Sequence, residues 1–194
     1  MSLLKSFTTI ASIAVVGLVA AAAGAQQRTP GTPPAAPPAA PPPVQLPHGA
    51  TAINETYGDW TVDCRIVDNR KACVLVQSQG NSQTGQRSFA IELRAPQDGK
   101  AEGTLLLPFG LNLDAGVKLK VDDKDFGPAM RFSTCVPAGC LAPVSFPTAM
   151  TDALKKGTTL VVNAVTLRGG EPVTFSVSLN GFSAAIARAG SLGG

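Results

Sequence analysis

The sequence predicts an all-β chain, an antiparallel β-sandwich that is immunoglobulin-like in outline. Three observations carry this. Several short segments alternate apolar and polar residues with period two, turn residues separate them, and no repeated helical crossovers intervene. Helical patterning is confined to a short helix near 147–156 and a helical turn at the C-terminal end.

Trp60, Val62, Cys64 and Ile66 alternate with Thr61, Asp63 and Arg65, as in a strand with one buried face. Asp68-Asn69-Arg70-Lys71 has turn chemistry, and Cys73 to Gln79 returns as a second strand, which predicts a hairpin. The polar segment from Gly80 to Gln86 reads as a loop. Three more half-buried strands follow from Phe89, Ile91 and Leu93, from Val117, Leu119 and Val121, and from Met130, Phe132 and Thr134. Leu105 to Leu107 is a short strand interrupted by Pro108-Phe109-Gly110, with a second short strand at Leu111 and Leu113. Pro147 opens a helix with Met150 and Leu154 on one face, Lys155 and Lys156 in its last turn, and Gly157 beyond. Leu160 to Leu167, Gly169-Gly170, and the alternating run from Val173 to Leu179 form the clearest hairpin, and the Ala-rich stretch from Phe182 to Arg188 is the terminal helical turn.

The first fifty residues are built differently. Lys5 precedes an apolar run from Phe7 to Ala23, and Ala23-Gly24-Ala25 supplies the small residues of a cleavage site, so residues 1–25 read as a secretory signal peptide. Residues 26–50 read as a Pro/Ala-rich disordered linker. Nine of the sixteen prolines lie between Pro30 and Pro47, and such a chain favours polyproline II, with a reach of roughly 60 Å. Residues 51–194 then form one domain. Without Lys5 and Arg28, fourteen basic residues face thirteen acids, and the adjacent basic pairs are Arg70-Lys71 and Lys155-Lys156 alone. This is not a nucleic-acid surface. No long apolar stretch follows residue 25, so no transmembrane segment is expected after signal cleavage.

Four cysteines occur as Cys64 with Cys73 and Cys135 with Cys140. A four-thiolate zinc site and two disulfides are the competing readings, and an exported chain meets an oxidising compartment, which favours disulfides. Cys64 and Cys73 fall opposite one another across the expected hairpin, and Val136-Pro137-Ala138-Gly139 can fold Cys140 back on Cys135. Each closure is worth roughly 2 to 3 kcal/mol.

Four blocks carry a family resemblance: Tyr57-Gly58-Asp59-Trp60 followed by Cys64; Leu107-Pro108-Phe109-Gly110-Leu111; Phe132-Ser133-Thr134-Cys135 with Gly139-Cys140-Leu141-Ala142-Pro143; and Ser178-Leu179-Asn180-Gly181-Phe182. In that order, with paired cysteines, the chain from Tyr57 to Arg188 resembles the invasion-associated locus B family. The resemblance implies a secreted or periplasmic protein of a Gram-negative bacterium, a β-sandwich, a family named for invasion of host cells, and no established enzyme activity. The Pro/Ala spacer lies outside the family domain.

Catalytic chemistry has little to draw on. The one histidine, His48, sits in the spacer, so a histidine-dependent triad is not expected. Asp59, Asp63, Asp122, Asp123 and Asp125 leave a carboxylate-dependent hydrolase of wall or surface glycans as the alternative function. Asp123, Asp125 and Gly127 faintly resemble a calcium loop but lack its third acid and distal glutamate, and no phosphate-binding glycine motif occurs. No metal and no cofactor are expected. Trp60 belongs to a core face. Phe109, displayed between Pro108 and Gly110, either binds a partner or turns inward to cap the sandwich. The reading is a non-catalytic exported envelope or surface protein that acts by binding or by structural support, its partner an envelope or surface protein or glycan, with host-cell interaction as a further expectation and Pro108, Phe109 and Gly110 as the candidate partner-binding loop.

Overall fold

The computed structural model describes residues 43–80 and 87–193. It is an open sandwich of two antiparallel sheets with two helices. The first sheet contains β1 (Ala52–Tyr57), β2 (Trp60–Val67), β3 (Arg70–Gly80), β4 (Arg87–Arg94), β5 (Ala101–Leu107), β8 (Thr134–Val136) and β9 (Gly139–Phe146), in the order β1-β2-β3-β4-β5-β9-β8. The second contains β6 (Lys118–Val121), β7 (Lys124–Asp125), β10 (Thr159–Val165) and β11 (Pro172–Ser178), in the order β11-β10-β6-β7. Helices α1 (Thr148–Lys156) and α2 (Phe182–Gly193) complete the fold.

The alternation in the sequence becomes the layering. Trp60, Val62, Cys64, Leu75, Phe89, Ile91 and Leu93 are buried on the inner face of the first sheet, in one core with Leu119, Leu160, Val162 and Val177 of the second sheet and with the apolar side of α2. Successive residues of β11 meet successive strands below it. Ser178 O accepts Trp60 Nε1 and Gln77 Nε2, each at 2.9 Å, Ser176 O accepts Gln79 Nε2 at 2.6 Å, and Phe175 stacks on Phe89 with centroids 5.1 Å apart. Gln77 is buried on this inner face and is therefore hydrogen-bonded, as a buried amide must be.

The smaller sheet cannot cover the larger one, and α2 fills the remainder. Phe182, Ala185, Ile186, Ala189 and Leu192 recur at helical spacing and are buried, with the helix lying against β2 and β3. The expected C-terminal helical turn is thus a twelve-residue helix. The short helix near 147–156 forms from Thr148, with Pro147 as its N-cap, Lys155 and Lys156 in the last turn and Gly157 as its C-cap.

Three local expectations are corrected. Met130 to Thr134 is not a strand: Met130 bridges Val117 beside the second sheet, whereas Thr134 pairs with Leu141 in the first, so the alternation belongs to a segment passing between layers. Leu111 makes only an isolated bridge to Thr166. Residues 43–50, read as the end of the linker, pack on the domain: Leu46 is buried, Val44 N–H donates to Asn69 Oδ1 at 3.0 Å, and Pro47–Gly49 forms a 3-10 turn. The expected signal peptide and the rest of the linker lie outside the described residues.

Candidate functional site

Cys64 and Cys73 are directly opposed on β2 and β3 and joined by a disulfide, as are Cys135 and Cys140 on β8 and β9. The two bonds differ in setting. Cys64–Cys73 is buried beside the C-terminal residues of α2, while Cys135 is exposed at the far end of the first sheet.

Pro108, Phe109 and Gly110 leave β5 at that same end, where Leu107 pairs with Cys140. Gly110 takes φ +88, which turns the chain, and its carbonyl accepts Leu167 N–H at 2.8 Å. Asn112 N–H donates to Val165 O at 2.8 Å, and Asn112 Oδ1 accepts the N–H groups of Asp114 and Ala115. The loop is thus braced on the β10–β11 turn, and much of its backbone is satisfied internally. Phe109 turns outward and is 60% exposed.

It is not isolated. Leu167 is 66%, Leu113 41% and Val136 36% exposed at the same end. A shallow depression of about 430 Å³ is lined by Phe109, Leu111, Leu113, Leu167 and the Cys135–Cys140 bond, with Asp114 as its one charged group. Among the described residues the remaining exposed large hydrophobic is Val67, at the β2–β3 turn on the opposite end of the sheet. Leu113, Val136 and Leu167 escaped sequence reasoning because each reads as the end of a strand or as turn filler. The available signal was narrow: Val136 stands beside Pro137 and Leu167 two residues before Gly169, while Leu113 adjoins neither glycine nor proline. A second depression, of about 480 Å³, lies between β9 and residues 126–130, and its lining, which includes Phe126, Met130, Pro143 and Met150, carries no charge.

Four of the five carboxylates considered for hydrolysis serve separate local roles. Asp59 accepts Ser178 Oγ at 2.6 Å, and Asp125 pairs with Lys120 at 3.3 Å. Asp63 is gripped by Arg65 at 2.8 Å, and this guanidinium, helped by Asn54, holds its carboxyl below the ordinary range. Asp122 Oδ1 accepts the N–H groups of Thr158 and Thr159, both at 3.0 Å, which makes it a backbone clamp in the segment that resembled a calcium loop. Glu55 receives two hydrogen bonds from Arg188, at 2.7 and 2.8 Å, and a third from Tyr57 at 2.8 Å. Those bonds, Arg188 first, hold its pKa at about 2.

The four sequence blocks meet in pairs. Asp59 N–H donates to Asn180 O at 3.1 Å, and Trp60 packs edge-on against Phe182 with centroids 5.0 Å apart, so the first and last blocks form one clasp. Leu107 carries its loop against Gly139, where any Cβ would strike the Leu107 carbonyl, so the middle blocks form another. Residues 60–190 match the invasion associated locus B (IalB) protein family. The chain belongs to that family. An invasion protein B homolog of Brucella abortus (strain 2308) is 50% identical over 143 residues, 74% of this chain and 82% of the relative. Invasion protein B of Bartonella bacilliformis is 34% identical over 149 residues, 76% of this chain and 80% of the relative. The crystal structure of invasion associated protein B from Bartonella henselae superposes with a TM-score of 0.67 at 34% identity, covering 72% of this chain and 96% of that one. None of these names denotes an enzyme. The two clasps are where the locus B sequence pattern becomes structure, one docking α2 and the other fixing the Phe109 loop.

Proposed function

We propose that this chain is an exported, non-catalytic envelope or surface protein that acts by binding, through the loop end that carries Pro108, Phe109 and Gly110. The observation that supports the reading best is the gathering of Phe109, Leu113, Val136 and Leu167 on loops held by a disulfide and by loop-to-loop hydrogen bonds. Exposed apolar groups concentrated on a braced scaffold mark an interaction site. Export is supported by the apolar leader ending at Ala25 and by the pairing of all four cysteines. The Brucella and Bartonella relatives carry invasion in their names, and a contribution to host-cell interaction is part of the proposal. The separate engagements of Asp59, Asp63, Asp122 and Asp125 lend the glycan-hydrolase alternative no support.

The test is a photo-crosslinking residue placed at position 109 in intact cells, with the same residue at position 67 as control. An adduct formed from 109 and not from 67 is expected. Equal labelling from both positions, or none from either, sinks the proposal.

A further inference from the structure

The proposed binding end has a chemical character that points to a class of partner. Residues 108–113 and 132–151 contain no charged side chain, so three neighbouring loops present apolar tips: Phe109 and Leu113, then Val136 with Pro137 and Ala138, then Leu167. Charges sit at the margin. Arg168 follows Leu167, and Arg131 lines a depression with Leu113 and Asp114; Lys118 lies on the neighbouring strand. No described carboxylate pairs with Arg131, Arg168 or Lys118. Asp114, which lines the depression beside Phe109, and Glu171, whose carbonyl accepts Thr166 N–H at the β10–β11 turn, are the acids at this end.

We propose that this loop end docks on a lipid bilayer bearing anionic headgroups, with the apolar tips in the headgroup–acyl boundary and the rim guanidiniums on lipid phosphates. The inference rests on the binding role proposed above. Three features favour a bilayer. Entry into a low-dielectric layer requires backbone polar groups to be satisfied within the protein, and the 108–115 loop meets much of that demand through Gly110, Asn112 and Val165. An uncharged apolar tip with arginines around it matches the depth profile of an anionic interface, because the long arginine side chain reaches back to the phosphate level. The preceding residues join the domain at Val44, beside Asn69 at the β2–β3 turn, so a tether through them takes hold at the opposite end of the sheet. The two rim acids offset part of the cationic charge, so apolar contact carries most of the attachment.

The full chain, isolated from its host, is mixed with vesicles of phosphatidylglycerol and phosphatidylethanolamine and floated on a density gradient. Flotation is expected, and the double variant Phe109→Ser, Leu167→Ser should bind about tenfold less or weaker still. Val67→Ser, which removes the exposed hydrophobic at the other end, serves as control for loss of an apolar side chain remote from the loops and should bind as the parent does. Arg131→Gln with Arg168→Gln should weaken binding less than the apolar pair does. Phe109→Trp adds an exposed indole to the single buried Trp60, and its emission should shift to the blue with vesicles and be quenched by brominated lipid. Unchanged flotation of the apolar double variant, or a Phe109→Trp emission indifferent to vesicles, overturns the lipid assignment. If position 109 then crosslinks to a protein in cells, the binding role survives with a protein partner; if it crosslinks to nothing, both fall.

Discussion

Gly181 has φ +83 and lies so close to Tyr57 that a Cβ would collide with the Tyr57 carbonyl oxygen. Across the same contact Gly58 has φ +56, and a Cβ there would come within 2.6 Å of Asn180 O. Two segments more than a hundred residues apart can approach this closely because both lack side chains at the crossing point. Gly170, in the β10–β11 turn, also has positive φ, at +65, but faces open space. The pair separates backbone strain from crowding. Gly170→Ala should lose about 1 kcal/mol, the left-handed cost alone, while Gly181→Ala should lose about 3 kcal/mol, because steric overlap adds to it. Thermal unfolding of both variants measures this, and Trp60 emission reports whether its packing against Phe182 loosens in the second. Equal losses would mean that the clasp tolerates a methyl group and does not fix α2.

At the scale of elements, the two disulfide hairpins make a contrast of their own. Cys64–Cys73 joins two interior strands and is sealed by the core, whereas Cys135–Cys140 joins the edge strand β8 to β9 with Cys135 open to solvent. A thiolate must reach a sulfur to exchange with it. Under limiting dithiol, alkylation and peptide mass analysis should therefore find Cys135 and Cys140 labelled well before Cys64 and Cys73. Loss of either bond, as Cys64→Ala with Cys73→Ala or as Cys135→Ala with Cys140→Ala, should cost roughly 2 to 3 kcal/mol in denaturant unfolding. Both pairings were legible because each needs only a local turn. The strands with clear apolar alternation, such as β2, β4 and β11, were legible for the same reason. β1 was not, because this edge strand has only Ile53 and Tyr57 as large apolar residues and no fully buried position. β9 was hidden by Pro143, which the sheet accepts where pairing with β8 has already ended at Leu141. The Phe109 loop could be named from one displayed aromatic, but its companions could not, since only the tertiary fold brings three turns to one end.

At the scale of the whole molecule, the described residues set seven strands against four, and the fold closes only because α2 covers what the smaller sheet leaves open. The outer margin of that cover is polar. Glu55 lies on the inward side of the edge strand β1 and takes both ends of the Arg188 guanidinium, with Tyr57 behind it, so a charged latch stands where apolar cover runs out. The latch makes domain closure depend on pH with a definite sign. Arg188 and Tyr57 favour the ionised carboxylate and depress its pKa from 4.5 to about 2 in the folded protein. The unfolded chain therefore binds a proton before the folded one does as pH falls. The contribution is complete above pH 4.5 and disappears as pH falls through about 2. Glu55 is about 30% exposed, so solvent and salt screen the pair and the effect is modest. Glu55→Gln should unfold at a lower temperature than the parent at neutral pH, and the two melting curves should converge as pH falls toward 2. The other acid held low, Asp63, titrates in both proteins and cancels in the comparison. Hydrogen exchange adds the spatial readout: in the variant, amides of α2 should exchange faster while those of β4 and β5 stay protected. A gap between the curves that persists at pH 2 would show that the latch acts through packing and not through its charge.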